Sequence, residues 1–143
     1  MLKIGRKEYE GLRQHGEETY PHECCGLLLG QANGDERVVV SFARARNTRT
    51  DSPHNRYNID SNDYVRIQKE GRERGEDVIG YYHSHPDHPA HWSQTDLAEA
   101  YWPGYSYVIT SVEQGKAAIT NSFELIVSDE SGKEFVDEKI EIG

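Results

Sequence analysis

Between Val78 and Asp96 the chain prescribes a strand, a stop and a helix start in close succession, and any fold it adopts must accommodate that order. Val78-Ile79-Gly80-Tyr81-Tyr82 is apolar, aromatic and partly β-branched, which predicts a strand. It runs directly into His83-Ser84-His85-Pro86. Side chains two apart on a strand point the same way, so His83 and His85 present both imidazoles on one face. Pro86 removes a backbone donor and helps to end the strand. Seven residues after Pro86, Ser93-Gln94-Thr95-Asp96 opens a helix through Leu97, Ala98 and Ala100. Asp96 falls in its first turn and can swing back toward the histidines. Two imidazoles, a hydroxyl and a carboxylate thus occur within 14 residues. Two nitrogens, one carboxylate oxygen and a water make an open tetrahedral site of the kind catalytic zinc uses.

The rest of the chain predicts what surrounds this segment. Arg6 to Glu18 carries Tyr9 and Leu12 on one face and reads as a helix, interrupted by Gly11 and Gly16. Cys24 to Gly30 is a short apolar run and reads as a buried strand. Asn33-Gly34 or Gly34-Asp35 marks a hairpin, and Arg37 to Arg46 is the returning strand. Asn47 to Asn55 is a polar loop, and Arg56-Tyr57-Asn58-Ile59 a further short strand. Asp60 or Ser61 caps a helix that runs to about Arg74 and stops at Gly75. The loop from Pro86 to Trp92 leads into the helix from Ser93 to about Tyr101, which Pro103-Gly104 ends. Tyr105 to Thr110, Lys116 to Thr120, Glu124 to Val127 and Glu134 to Ile142 read as strands, the last two around a Ser131-Gly132 turn. Helix, hairpin, helix, strand, helix and then several strands describe a mixed α/β (α+β) domain rather than regular βαβ winding.

At 143 residues, the whole of 1–143 reads as one domain with room for a core. Its 25 acidic against 16 basic residues give a net charge of -9, and no Lys/Arg cluster is longer than a few residues, which disfavours nucleic acid as a partner. The acidity suits solubility, a basic partner or a salt-rich cytoplasm alike. The first six residues lead to no apolar signal core, and no stretch approaches the ~18 apolar residues of a membrane span. The two cysteines, Cys24 and Cys25, are adjacent, so no disulfide framework exists. A cytoplasmic location is the expectation.

Each part of the histidine segment has a plainer reading. A pair of histidines on a strand is often structural, and Ser93-x-x-Asp96 resembles a helix capping box with a short acid at its third position. The readings are compatible, since a helix start holds Ser93 and Asp96 rigidly. His83-Ser84-His85-Pro86-Asp87-His88 also fits the His-x-His-x-Asp-His pattern of metallo-β-lactamase-like hydrolases. Those sites need later histidines, and the last here is His91. His88 and His91 are accordingly read as exposed loop residues.

His83-x-His85, seven residues, then Ser93-x-x-Asp96, with a glutamate upstream, resembles the JAMM motif of the MPN family of zinc metallopeptidases. The likeness extends over nearly the whole chain. Pro21-His22-Glu23-Cys24-Cys25-Gly26-Leu27-Leu28-Leu29-Gly30 is similar to the family's Pro-x-Glu-x-x-Gly-Leu-Leu-x-Gly segment in its prokaryotic form, and Tyr57-Asn58-Ile59-Asp60, Gly80 to Pro86 and Tyr107-Val108-Ile109 also match. Trp92 stands where bacterial relatives often carry proline. The resemblance implies a curved mixed sheet flanked by helices, one Zn²⁺ held by His83, His85 and Asp96, Glu23 as general base, and Ser93 as donor to the oxyanion. It implies cleavage of a peptide or isopeptide bond at the Gly-Gly tail of a ubiquitin-like or sulfur-carrier protein. Small bacterial relatives of this kind release an amino acid such as cysteine or trim the carrier. Two other functions stay in view: a non-catalytic MPN scaffold that binds partners, against which the complete residue set argues, and a deaminase-like zinc enzyme, which would need a Pro-Cys-x-x-Cys pair that is missing. Cys25 is read as a small core residue rather than a nucleophile.

Overall fold

A computed structural model describes residues 1–49, 57–129 and 132–143. Eight strands and three helices follow one another as β1 (Leu2–Ile4), α1 (Arg6–Thr19), β2 (Cys25–Asn33), β3 (Glu36–Ala45), α2 (Ser61–Glu73), β4 (Asp77–Pro86), α3 (Gln94–Glu99), β5 (Ser106–Glu113), β6 (Lys116–Ser128), β7 (Gly132–Glu138) and β8 (Ile140–Ile142). All eight strands join one mixed sheet in the order β7-β6-β5-β4-β2-β3-β1-β8. β4 runs parallel to β5, and β1 parallel to both β3 and β8, while the other neighbours are antiparallel. The two outermost strands, β7 and β8, are separated in the chain only by Lys139. One residue reaches only ~3.5 Å, so the sheet has to curl until its edges meet there.

Alternation along the strands feeds two cores. On one face Leu27, Leu29, Tyr81, Tyr107, Ile109 and Leu125 pack beneath Ile67 of α2 and the α3 region. On the other face Leu28, Tyr82 and Val108 meet Leu12 of α1. The glycines that interrupt α1 bring it onto the sheet. A Cβ at Gly11 would lie 2.7 Å from the Phe42 ring, and one at Gly16 would lie 3.0 Å from Val112 and 3.3 Å from Ser84. α1 contributes polar anchors as well. His15 Nδ1 lies 2.8 Å from the Tyr82 hydroxyl, and Arg13 donates to Thr120 Oγ1 at 2.7 Å.

The curved mixed sheet between helices agrees with expectation, and several elements differ in detail. β1 is an added strand, three residues long, which alternation cannot reveal at that length. Lys116–Thr120 and Glu124–Val127 are one long strand, β6. The expected strand 134–142 is two strands, β7 and β8, on opposite edges of the sheet. The hairpin turns at Gly34-Asp35, with Gly34 at φ 61°. Asp60 is the N-cap of α2 and accepts the Asp63 N–H at 3.0 Å. The helix after Ser93 is shorter than expected and stops at Glu99. In place of a strand at 56–59 the structure has one isolated bridge, Asn47 with Ile59. Arg56, the greater part of the 47–55 loop and Ser131 of the expected turn lie outside the described residues. Among the described residues no helix is long and apolar enough to cross a membrane.

Candidate metal centre

β4 continues through Pro86, so both histidines stand on a regular strand in the middle of the sheet. Period-two alternation turns them the same way, and their Nε2 atoms lie 3.1 Å apart. His85 Nδ1 stands 2.9 Å from the Pro89 carbonyl. A carbonyl only accepts, so Nδ1 carries a proton there, and Nε2 is the ring atom that faces the cluster. His83 is buried, with the Tyr57 ring stacked on it at 4.3 Å and 23°.

The third donor comes from the start of α3. Ser93 Oγ accepts the Asp96 N–H at 3.0 Å, and Asp96 Oδ2 accepts the Ser93 N–H at 2.8 Å, which completes a capping box. The same carboxylate faces the histidines, with Oδ1 3.3 Å from His83 Nε2 and Oδ2 3.2 Å from His85 Nε2. Helix capping and presentation of the acid are thus one arrangement. The other end of α3 is fastened from outside, since Lys133 donates to the carbonyls of Ala98 and Ala100. Trp92, just before Ser93, packs its ring on Phe135 at 5.6 Å and so fixes the entry to the helix against β7.

Glu23 reaches the cluster from the segment before β2. Cys25 is paired with His83 across the β2–β4 ladder, and this register sets Glu23 beside the histidine strand. Glu23, His83 and His85 each offer a ligand atom within 4.8 Å of the others. Glu23 is buried, and Glu23 Oε1 and His83 Nδ1 are buried without a hydrogen-bond partner among the described residues. Burial pushes the Glu23 carboxyl up to about 8 against the pull of His85, with Asp96 and Glu99 adding to the rise. Burial opposes ionisation of Asp96, but the two imidazoles outweigh it and hold that carboxyl well below the usual carboxylate range. Burial holds the His83 imidazole below its ordinary value. At His85 burial also pulls downward, but Asp96 and the Pro89 carbonyl prevail and raise it.

The structure therefore brings Glu23, His83, His85, Ser93 and Asp96 into one place. A donor set of two imidazole nitrogens and a carboxylate, with orphaned polar atoms beside it, fits a zinc ion. His88 and His91 are exposed, as expected. Cys25 is fully buried in the core, and burial pushes the Cys24 thiol up to about 12 and Cys25 higher still, so neither supplies a thiolate. Three neighbours had no role from sequence: Tyr57, Asn47 and Ser84. For Ser84 the signal was present, because alternation places it on the face opposite its flanking histidines. Tyr57 lies in a segment quoted for its likeness to the family, but nothing local pairs it with His83.

A curled mixed sheet with a two-histidine, one-carboxylate cluster on its central strand and a buried glutamate alongside is the architecture of a JAB/MPN domain. The chain belongs to that family in its prokaryotic branch: the model described as prokaryotic homologs of the JAB domain matches residues 6–125. A desampylase from Haloferax volcanii is 37% identical over 91 residues, which are 64% of this chain and 63% of that protein. A CysO-cysteine peptidase from Mycobacterium tuberculosis is 25% identical over 114 residues, 78% of this chain and 74% of its own. Among solved structures, a Desulfitobacterium hafniense protein aligns over all of this chain and 93% of its own with a TM-score of 0.84 at 30% identity. A Salinibacter ruber protein covers 99% of this chain and 91% of its own with a TM-score of 0.73 at 38% identity.

Proposed function

We propose that this protein is a zinc-dependent peptidase that hydrolyses the peptide or isopeptide bond after the C-terminal Gly-Gly of a ubiquitin-like or sulfur-carrier protein. The observation that carries this reading is the convergence of Glu23, His83 and His85 within 4.8 Å, with the Asp96 carboxylate against both imidazoles. The names of the two curated relatives, a desampylase and a peptidase acting on a CysO–cysteine conjugate, support the substrate class.

His83, His85 and Asp96 would hold the zinc. When bound, the metal supplies a Lewis acid that polarises the scissile carbonyl and brings the pKa of water down from 15.7 toward ~7. Glu23 is the general base: it takes the proton from the attacking water and hands it to the leaving amine. Its burial suits the second task, because a carboxyl reluctant to ionise holds that proton until the amine collects it. The Ser93 oxygen is occupied as acceptor by the Asp96 N–H, which leaves its own hydrogen to stabilise the oxyanion.

The test offers purified carrier proteins with an amino acid joined after Gly-Gly, linearly or through a lysine side chain, and reads products by intact mass. The expected result is release of the added residue, one zinc per chain in the wild type, and loss of zinc in His83→Ala and Asp96→Ala. Glu23→Gln should keep its zinc and lose turnover. Full zinc content in both ligand variants would sink the ligand assignment, and wild-type turnover in Glu23→Gln would require another base.

A further inference from the structure

Among the described residues Glu23 Oε1 has no hydrogen-bond partner, so the aim of that side chain rests on the backbone that carries it. Glu23 precedes β2, which begins at Cys25, and the β2–β4 register ends with the pair Cys25 and His83. One further backbone bond, from Ser84 N–H to the Cys24 carbonyl at 3.3 Å, extends the pairing by a residue. Beyond it the chain changes its means of support. The peptide unit joining Glu23 to Cys24 has both polar atoms held by side chains: the Cys24 N–H donates to Ser84 Oγ at 2.8 Å, and the Glu23 carbonyl accepts from Asn47 Nδ2 at 3.2 Å.

Ser84 sits between His83 and His85 and points to the other face of the sheet, beneath α1. It is fully buried, and Gly16 of α1 makes the room: a Cβ there would stand 3.3 Å from Ser84 Cβ. Buried on that face, the hydroxyl is turned away from the histidine side, and its bond to the Cys24 amide is what ties it to the backbone carrying Glu23. Asn47 is half-buried, two residues beyond the end of β3. Its Oδ1 accepts the N–H groups of Arg49 at 3.0 Å and Asn58 at 2.9 Å. One carboxamide therefore joins the Glu23 backbone to the segment that lays Tyr57 on His83.

We infer that Ser84 and Asn47 are positioning residues, which grip the Glu23–Cys24 peptide unit at its N–H and its carbonyl and thereby aim the Glu23 carboxyl at the His83–His85 face. What Glu23 does there rests on the proposed function; how it is held does not.

Ser84→Ala removes the acceptor, and Asn47→Asp removes the donor with little change in shape. In Ser84→Ala the Cys24 amide should exchange its hydrogen about tenfold faster or more, with the amides of Leu27 to Leu29 unchanged. Both variants should keep one zinc per chain. Their kcat should fall ~10–100-fold with KM within about twofold, because an ill-aimed base damages the chemical step and not binding. Ser84→Thr, which keeps the hydroxyl, should recover most of the rate. In a Glu23→Gln background Ser84→Ala should have no further effect. The inference is overturned if Cys24 exchange does not change, if zinc is lost in step with the rate, or if the rate falls as much in the Glu23→Gln background. Should Ser84→Ala fail to fold, Asn47→Asp is read by zinc content, by the split between kcat and KM and in the Glu23→Gln background, from a less buried position. Should the wild type cleave no carrier protein, the proposed function falls, while exchange at Cys24 still decides whether the peptide unit is held.

Discussion

Ser93 serves two purposes with one hydroxyl, and a single substitution separates them. Its oxygen caps α3, and on the proposed reading its hydrogen meets the oxyanion. Glycine at an N-cap costs only a few tenths of a kcal/mol against serine, whereas losing an oxyanion donor costs ~10²–10³ in rate. Ser93→Gly should therefore leave the urea midpoint close to wild type and lower kcat by two to three orders of magnitude; parallel loss of both would reduce Ser93 to a cap. The five residues Glu23, His83, His85, Ser93 and Asp96 were legible because each belongs to a local rule: alternation for the histidines, a helix start for Ser93 and Asp96, and the family-like segment for Glu23. Tyr57 and Asn47 matter through contacts 26 and 24 residues apart in the chain, which leave no periodic trace; alternation gives the face of Ser84 but not its partner at Cys24, 60 residues away.

At the scale of elements, α1 shows how packing overrules propensity. Gly11 and Gly16 weaken it as an isolated helix, yet both lie where a methyl group would collide with the sheet. Gly11→Ala, which should gain ~1 kcal/mol in a free helix, should instead lower the thermal midpoint, because its Cβ would stand 2.7 Å from Phe42. A higher midpoint would mean that the ring moves aside freely. His15, on the buried side of the same helix, makes the seating sensitive to acid. Burial, helped by Arg44, lowers its imidazole from 6.5 to about 4. Between those values the unfolded chain binds a proton that the folded chain refuses, so stability falls as pH drops through that window and is indifferent to this group below it. Allowing for solvent screening, the loss is on the order of 2 kcal/mol. Urea midpoints at pH 7 and pH 4 should diverge less in His15→Gln than in wild type. The helices and most strands were readable from their periods, although β6 was read as two strands and β7 with β8 as one; β1 was missed, since three residues hold no period, and its pairing with β8 joins residues nearly 140 apart.

The molecule as a whole is fastened where its sheet edges meet. Arg37 of β3 pairs with Glu138 of β7 and, at 2.8 Å, with Glu124 of β6, while its Nε donates to the Gly104 carbonyl at 2.6 Å. Glu138 also accepts from Ser106 at 2.6 Å and Ser122 at 2.7 Å. Arg37 and the Glu138 side chain are both buried, so Arg37→Met should strand the acid and cost ~3–5 kcal/mol by urea denaturation, and Arg37→Met with Glu138→Leu should recover part of it. An unchanged midpoint in the single variant would show that the two serines and the Met1 amino group, 3.4 Å from Glu138, suffice. The seam also imposes an order of events. β1 lies between β3 and β8, with Leu2 beside Ile140 and Ile4 beside Ile142. A ribosome makes β1 long before β8, so the barrel-like closure has to wait until synthesis has passed residue 142. Until then the nascent chain carries β1 with one flank unmet, and the metal strand matures inside a sheet that has not yet closed.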